Sequence, residues 1–306
     1  MVEGSRAPLE LPGERSSSLP DPELGAGSAS GRDWTGLAAA GIPRAMPSPL
    51  VLLANDDGYS SPGLRAMRQA LVASGADVVV LAPESEQSAS SHSLSLHRPM
   101  RLREVEGGVF ALDGTPADCI YVALYASKRV LPRRPDLVVS GINRGMNLGQ
   151  DAFYSGTVAA AREGALRGIP ALATSAHPSL ALPPVADLSA RIALELLARS
   201  RRDALRGPLV NLNVPEKWTG ELRATRLGAR IYEEVVDFRV DPRGREYLWL
   251  GGPGVRHERD AGTDTDAYDD GAASVTPLLL DLTSPVDGPA MTSLVERVVA
   301  KRTERA

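Results

Sequence analysis

Three short, almost wholly apolar runs decide what this chain can fold into: PLVLLA (49–54), DVVVLA (77–82) and DLVVSG (136–141). Each is too short for a buried helix and too uniformly apolar for a strand with one wet face. Such runs read as strands covered on both sides. Between them lie segments with helical spacing. PGLRAMRQALVASG (62–75) places Leu64, Met67, Leu71 and Val72 on one face, with Ser61 as N-cap, Pro62 at the first helical position and Gly75 as the stop. PADCIYVALYAS (116–127) and TVAAAREGALRG (157–168) read as further helices, the second ending at Gly168. SLSL (93–96) and GVFAL (108–112) read as additional strands, and IPALATS, ADLSARIALELLAR and PLVNLNV continue the alternation. This order predicts an α/β fold with a mostly parallel sheet and helices on both faces. Right-handed crossovers then bring the strand C-termini to one edge, where such folds bind ligands.

The flanks differ from this core. Gly, Pro and Ser make up 18 of residues 1–46, and no helix or strand period persists there. That stretch reads as a disordered extension, with Met46 as an alternative start. After about Pro215 the alternation fades. DPRGREYLWLG (241–251) reads as a turn and an extended arm, and DAGTDTDAYDDG (260–271) as a solvated, irregular acidic loop. ASVTPLLLDLT (273–283) reads as extended and MTSLVERVVAKR (291–302) as a last helix.

Bulk properties exclude several classes of function. The 306 residues carry a net charge of −4 and no basic patch, which argues against a nucleic-acid polymer as partner. One cysteine, Cys119, allows no internal disulfide, and the four histidines show no zinc spacing. No run approaches the ~18 apolar residues of a membrane span, and no signal peptide is visible. These readings predict a cytoplasmic protein without a membrane partner.

The chemistry collects in three loops that follow the strong strands. The first carries Asn55, Asp56, Asp57 and Gly58; the second is PESEQSASSHS (83–93); the third is GINRGMNLGQDAFYSGT (141–157), with Asn143 and Asn147. On parallel strands all three share one edge. Together they offer carboxylates, hydroxyls and amides, the hard oxygen donors suited to Mg²⁺, Mn²⁺ or Ca²⁺. A divalent cation also accounts for two adjacent anions at the end of a buried strand. YSGTV leads directly into a helix, whose free first amides suit a phosphate. Cation and phosphate together point to phosphoryl chemistry. Taken singly, each feature has an ordinary structural reading. Asp-Asp-Gly forms turns, Ser155 and Thr157 cap helices, Thr115 and Asp118 suit a capping box, and Ser88 and His92 are common loop residues. Convergence of the three loops favours a site. The spacing of Asp56 and Asp57 does not match the D-x-D of aspartyl-phosphate phosphatases, and no G-x-S-x-G of a serine hydrolase is present. A binding protein that keeps such a site without turnover is an alternative of a different class.

At these residues the chain resembles the SurE (survival protein E) family of metal-dependent 5′-nucleotidases. The resemblance runs through LLANDDGYSSPGLRAMRQAL, VVVLAPESEQSASSHSLSLHRPMR, LDGTPADC, DLVVSGINRGMNLGQDAFYSGTVAAAREGALRGIPALA, LVNLNVP, DPRGREYLWLG, GTDTDA and SVTPL, in the family's order over residues 49–283. It implies a Rossmann-like catalytic core (47–229), an oligomerisation arm with a return strand (230–290) and a C-terminal helix (291–306). It implies hydrolysis of nucleoside 5′-monophosphates, with Asp56 and Asp57 catalytic. One divalent cation per subunit, Mg²⁺ or Mn²⁺, would be held by Asp56, Asp57, Ser88 and Asn143. Asn55, His92, Asn147, Ser155, Gly156 and Thr157 would meet the phosphate or substrate. A homodimer or homotetramer with exchanged arms is the implied assembly. The chain departs from the family at Glu84, usually Asp, at Gln87, usually Arg, and at Ala272, usually Tyr.

Overall fold

The computed structural model describes residues 47–303, apart from 234–235, 252–253 and 285–286. The expectation for residues 1–46 lies outside the described residues. The elements run β1 (Leu50–Ala54), α1 (Pro62–Ala73), β2 (Asp77–Pro83), β3 (Leu102–Glu106), β4 (Val109–Leu112), α2 (Pro116–Tyr125), β5 (Leu137–Arg144), α3 (Asp151–Tyr154), α4 (Gly156–Leu166), β6 (Ala171–Ala176), α5 (Leu182–Arg202) and β7 (Leu209–Val214). They continue with β8 (Leu222–Ala224), β9 (Arg230–Tyr232), β10 (Val236–Val240), β11 (Glu246–Leu250), β12 (Val255–His257), α6 (Asp264–Asp269), β13 (Ala273–Leu278) and α7 (Gly288–Thr303).

Nine strands form one sheet in the order β3-β4-β2-β1-β5-β6-β7-β13-β8. The central pairs, from β4 across to β7, are all parallel. β3 and β13 join antiparallel to β4 and β7. The apolar runs become the buried centre: all five residues of β1 are buried, as are Leu137, Val138 and Val139 of β5. Alternate side chains point to opposite faces. Val51, Leu53 and Val139 pack under α1 and α5, and Leu52, Ala54 and Val138 pack under α2 and α4. Helix starts follow the expected chemistry. Ser61 Oγ accepts the Leu64 amide at 3.2 Å, and Thr115 with Asp118 forms a reciprocal capping box at α2.

The sheet order decides where a ligand can sit. From β1 the chain moves outward to β2 and β4, then returns past β1 to build β5, β6 and β7 on the other side. The reversal between β1 and β5 opens a crevice at their C-terminal ends.

Two sequence expectations give way to the tertiary structure. SLSL (93–96) is not a strand; its backbone is tied to α2, with the Ser95 amide donating to Asp118 Oδ1 at 2.9 Å. The acidic run 260–271 is not a solvated loop throughout. It contains α6, capped by Thr263, and Asp264 is fully buried. Beyond the sheet, β10 and β11 form a separate two-stranded hairpin around the DPRG turn. Its apolar side chains, Phe238, Trp249 and Leu250 among them, are exposed. No helix among the described residues is long and apolar enough to cross a membrane.

Candidate active site

β1 delivers Asn55, Asp56 and Asp57 to the crevice. Asn55 is fully buried, and its Nδ2 donates to Gly58 O (3.0 Å) and Ser61 Oγ (2.8 Å). This closes the turn that lets adjacent aspartates face one corner. Gly58, at φ +95°, supplies the left-handed backbone the turn requires. The turn reading and the site reading of NDDG therefore describe the same structure. Asn55 Oδ1 is buried without a partner.

Asp56 is buried, and its carboxylate accepts the Thr157 hydroxyl from the first turn of α4. Burial raises its pKa, against the lowering effect of that hydrogen bond. Asp57 is half-buried and is pushed up to about 6 by burial, then by the charges of Asp56 and Glu86. The Arg144 backbone and charge oppose the shift without cancelling it.

The second loop is stitched to this corner. The Gln87 amide donates to the Asp56 carbonyl at 2.8 Å. Ser88 is exposed and its hydroxyl donates to Glu86 Oε1 at 2.7 Å. Ser90 Oγ is buried with no partner. A Cβ added to Gly156 would come within 2.9 Å of both Ser90 Oγ and Asp56 Cβ, so only glycine lets loop, aspartate and helix approach this closely. Ser155 Oγ caps α4 by accepting the Val158 amide at 3.0 Å.

The remaining sequence-selected residues have other immediate partners. Asn143, near the C-terminal end of β5, donates Nδ2 to Gly145 O at 3.0 Å just beyond the strand's end. Asn147 lies inside the protein. Its amide donates to Asn213 Oδ1 (2.8 Å), its Nδ2 to Ser175 Oγ (2.7 Å), and its carbonyl accepts from Asn211 and Asn213. His92 turns to α4, where Nε2 donates to Glu163 Oε2 at 2.9 Å. Glu163 is buried, which alone would raise its pKa. Hydrogen bonds from His92 and Arg167 hold it below the ordinary value.

Sequence reading missed several residues that build the site. Asp264 accepts the amides of Gly149 (2.9 Å) and Gly228 (2.7 Å), clamping the third loop from far along the chain. Its charge in GTDTDA was visible, but not its burial. Asn211 and Asn213 stood inside PLVNLNV as polar interruptions of an apolar strand, a signal that something buried must bond them. Ser90 carried no signal beyond the serine-rich loop.

The donor set fits a divalent cation. Two adjacent carboxylates are held at raised pKa, and an unpartnered amide oxygen, Asn55 Oδ1, lies beside them. Among the described residues no three His, Cys, Asp or Glu side chains cluster to hold a metal. A cation here would therefore complete its shell with neutral oxygens, as hard divalent ions do.

The chain is similar to known proteins. The family described as Survival protein SurE matches residues 51–234. A 5′-nucleotidase SurE of Sorangium cellulosum is 63% identical over 235 residues, covering 76% of this chain and 91% of its own. A 5′-nucleotidase SurE of Methylococcus capsulatus is 46% identical over 239 residues, covering 76% and 92%. The crystal structure of a SurE protein from Aquifex aeolicus superposes with a TM-score of 0.67 at 37% identity, covering 80% of this chain and 99% of that one. The sheet order, the crevice between β1 and β5 and these matches together show that the chain belongs to the SurE family.

Proposed function

We propose that this chain is a 5′-nucleotidase, hydrolysing nucleoside 5′-monophosphates to nucleoside and phosphate with the help of a divalent cation. The observation that carries the reading is the Asp56–Asp57 corner, bonded through Asp56 and Thr157 to the first turn of α4, in a chain 63% identical to a 5′-nucleotidase SurE. Asp56, Asp57, Ser88 and Asn143 are assigned as ligands of one Mg²⁺ or Mn²⁺. When bound, the cation supplies Lewis-acid polarisation of the phosphoryl oxygens and lowers the pKa of a water.

The protein groups divide the remaining work. Asp56 is tied to Thr157 and serves as a fixed anion. Asp57 is the freer, half-buried carboxylate and takes the proton from the attacking water. The water oxygen bonds to phosphorus in line, the P–O5′ bond breaks with its electron pair going to O5′, and O5′ takes a proton from solvent, to which Asp57 gives up the one it received. No phosphorylated enzyme forms. Gly156, at the start of α4, would face the phosphate, while Thr157, bonded to Asp56 through its hydroxyl and backbone, and Asn55, whose amide hydrogens go to Gly58 and Ser61, would line the site beside it. Asn147 and His92 support the phosphate side by holding the third and second loops.

We also assign a homo-oligomer, dimer or tetramer with exchanged arms. The exposed Phe238, Trp249 and Leu250 of the β10–β11 hairpin support this, because an isolated hairpin is barely stable in water. The single, buried Cys119 suits a reducing setting such as the cytoplasm.

Phosphate release from a panel of 5′- and 3′-nucleoside monophosphates, with Mg²⁺, Mn²⁺ or EDTA, tests the reading. Metal-dependent release from the 5′-monophosphates, lost in Asp57→Ala, is the expected outcome. Nucleotide retained without release by folded, metal-loaded protein would favour a nucleotide-binding protein instead.

A further inference from the structure

The loop carrying Ser88 lies along one face of α4. Ser90 Oγ meets that face at Gly156, and His92 Nε2 donates to Glu163 Oε2 at 2.9 Å. Gly156 and Glu163 are two helical turns apart and share a stripe of the helix. Between them Ala159 and Ala160 are fully buried. Ser91 adds a third attachment, its amide donating to Tyr154 O (3.0 Å) and its hydroxyl to Phe153 O (2.8 Å).

The loop needs these attachments. Ala89 and Ser91 have φ of +55° and +51°, a left-handed backbone that residues with a Cβ adopt only where their surroundings hold it. Ser88 and Ser90 flank the first of these positions. Glu163 is 2% exposed and has more acceptor capacity than its own helix uses. Arg167, four residues on, occupies only Oε1, at 2.9 and 2.7 Å. Oε2 is left for the histidine on the loop.

We propose that Glu163 is a positioning residue: acting through His92, it fixes the 88–92 turn so that Ser88 and Ser90 stay at the Asp56–Asp57 corner. The inference rests on the metal-dependent nucleotidase reading above. Glu163→Gln removes the charge and replaces one of the two acceptor oxygens by an NH₂, so His92 and Arg167 no longer each face a carboxylate oxygen and the turn loosens.

The test compares full-length wild-type protein with Glu163→Gln, His92→Gln, the double variant and Arg167→Met. The readouts are Mn²⁺ affinity by isothermal titration calorimetry, kcat and KM for a nucleoside 5′-monophosphate, and the thermal midpoint. Glu163→Gln and His92→Gln are each expected to weaken Mn²⁺ binding about 10- to 100-fold, the usual loss when a group that orients metal ligands is removed. The double variant should lose no more than either single, because both act through one bond. Arg167→Met, which leaves the His92–Glu163 bond in place, should lose less Mn²⁺ affinity than either Glu163→Gln or His92→Gln. Unchanged Mn²⁺ affinity in folded His92→Gln, or an equal loss in Arg167→Met, overturns the inference. His92 is partly open to solvent, so its variant decides the matter even if Glu163→Gln does not fold. A wild-type protein that binds no Mn²⁺ removes the metal reading and this inference with it. Binding in wild type matched by all variants removes this inference alone.

Discussion

The Thr157 hydroxyl donates to the Asp56 carboxylate across 101 positions of sequence. That bond joins the loop after β1 to the first turn of α4, and it opposes the rise in pKa that burial imposes on Asp56. It makes Thr157 more than a helix-start residue.

Thr157→Val keeps the shape and removes the donor. The variant should lose about 1–3 kcal/mol of stability, the cost of a buried acceptor left unsatisfied. Urea unfolding checks the loss. Thr157→Ser restores the donor and should recover most of it.

Asp57→Asn should separate activity from stability. Turnover should fall by about 10²–10⁴-fold, the range for losing a general base. In EDTA at neutral pH the variant should be at least as stable as wild type. Asp57 is ionised there against burial and the charge of Asp56, and Asn removes that cost. Thermal unfolding in EDTA beside phosphate release gives both readings.

The raised pKa of Asp57 also sets a pH window. A carboxyl shifted from 3.8 to about 6 contributes stability that is complete below pH 3.8 and lost as pH rises through 6. Metal-free protein should therefore lose this contribution between about pH 4 and 6. A bound cation needs the ionised form, so Mn²⁺ affinity should rise with pH and level off above about 6 to 7. Thermal midpoints with EDTA and with Mn²⁺ should diverge as pH passes 6; parallel curves would contradict the assignment.

Gly156→Ala places a methyl 2.9 Å from Asp56 Cβ and Ser90 Oγ. Overpacking of this kind costs about 1–3 kcal/mol. The damage should concentrate at the site, with kcat/KM falling more steeply than the unfolding midpoint. Gly168→Ala, at a helix end with no neighbour within 4 Å, provides a contrast in which φ +75° is the only penalty.

Asp264→Asn tests the clamp on the third loop. The Gly149 and Gly228 amides bond different oxygens of Asp264, so asparagine would turn its NH₂ against one of them. A loss of about 1.5–3 kcal/mol follows from the charged hydrogen bonds involved. Hydrogen exchange should quicken at Gly149 and Asn147.

The strands and helices of the core were legible because their signals are local. PLVLLA and DVVVLA are apolar at every position, and Ser61-Pro62 and Thr115-Pro116 carry their own helix-start chemistry. SLSL failed because alternation over four residues cannot outweigh a backbone bond from Ser95 to Asp118. The acidic run failed because charge in sequence does not report burial. Asp264 is inside, bonded to two amides contributed by distant loops.

For the site, the sequence by itself determined the cast: adjacent carboxylates after a buried strand, a hydroxyl-rich loop, and a small-residue helix start, on elements whose order implies one sheet edge. Which of them touch was decided only by the tertiary structure. Asp56 met Thr157, Ser90 met Gly156, His92 met Glu163, and Asn147 turned inward to Asn213 and Ser175. The physical reason is that β5 settles beside β1 rather than beyond β4. That pairing is a long-range outcome of burying both faces of the sheet, and no single stretch of the chain encodes it.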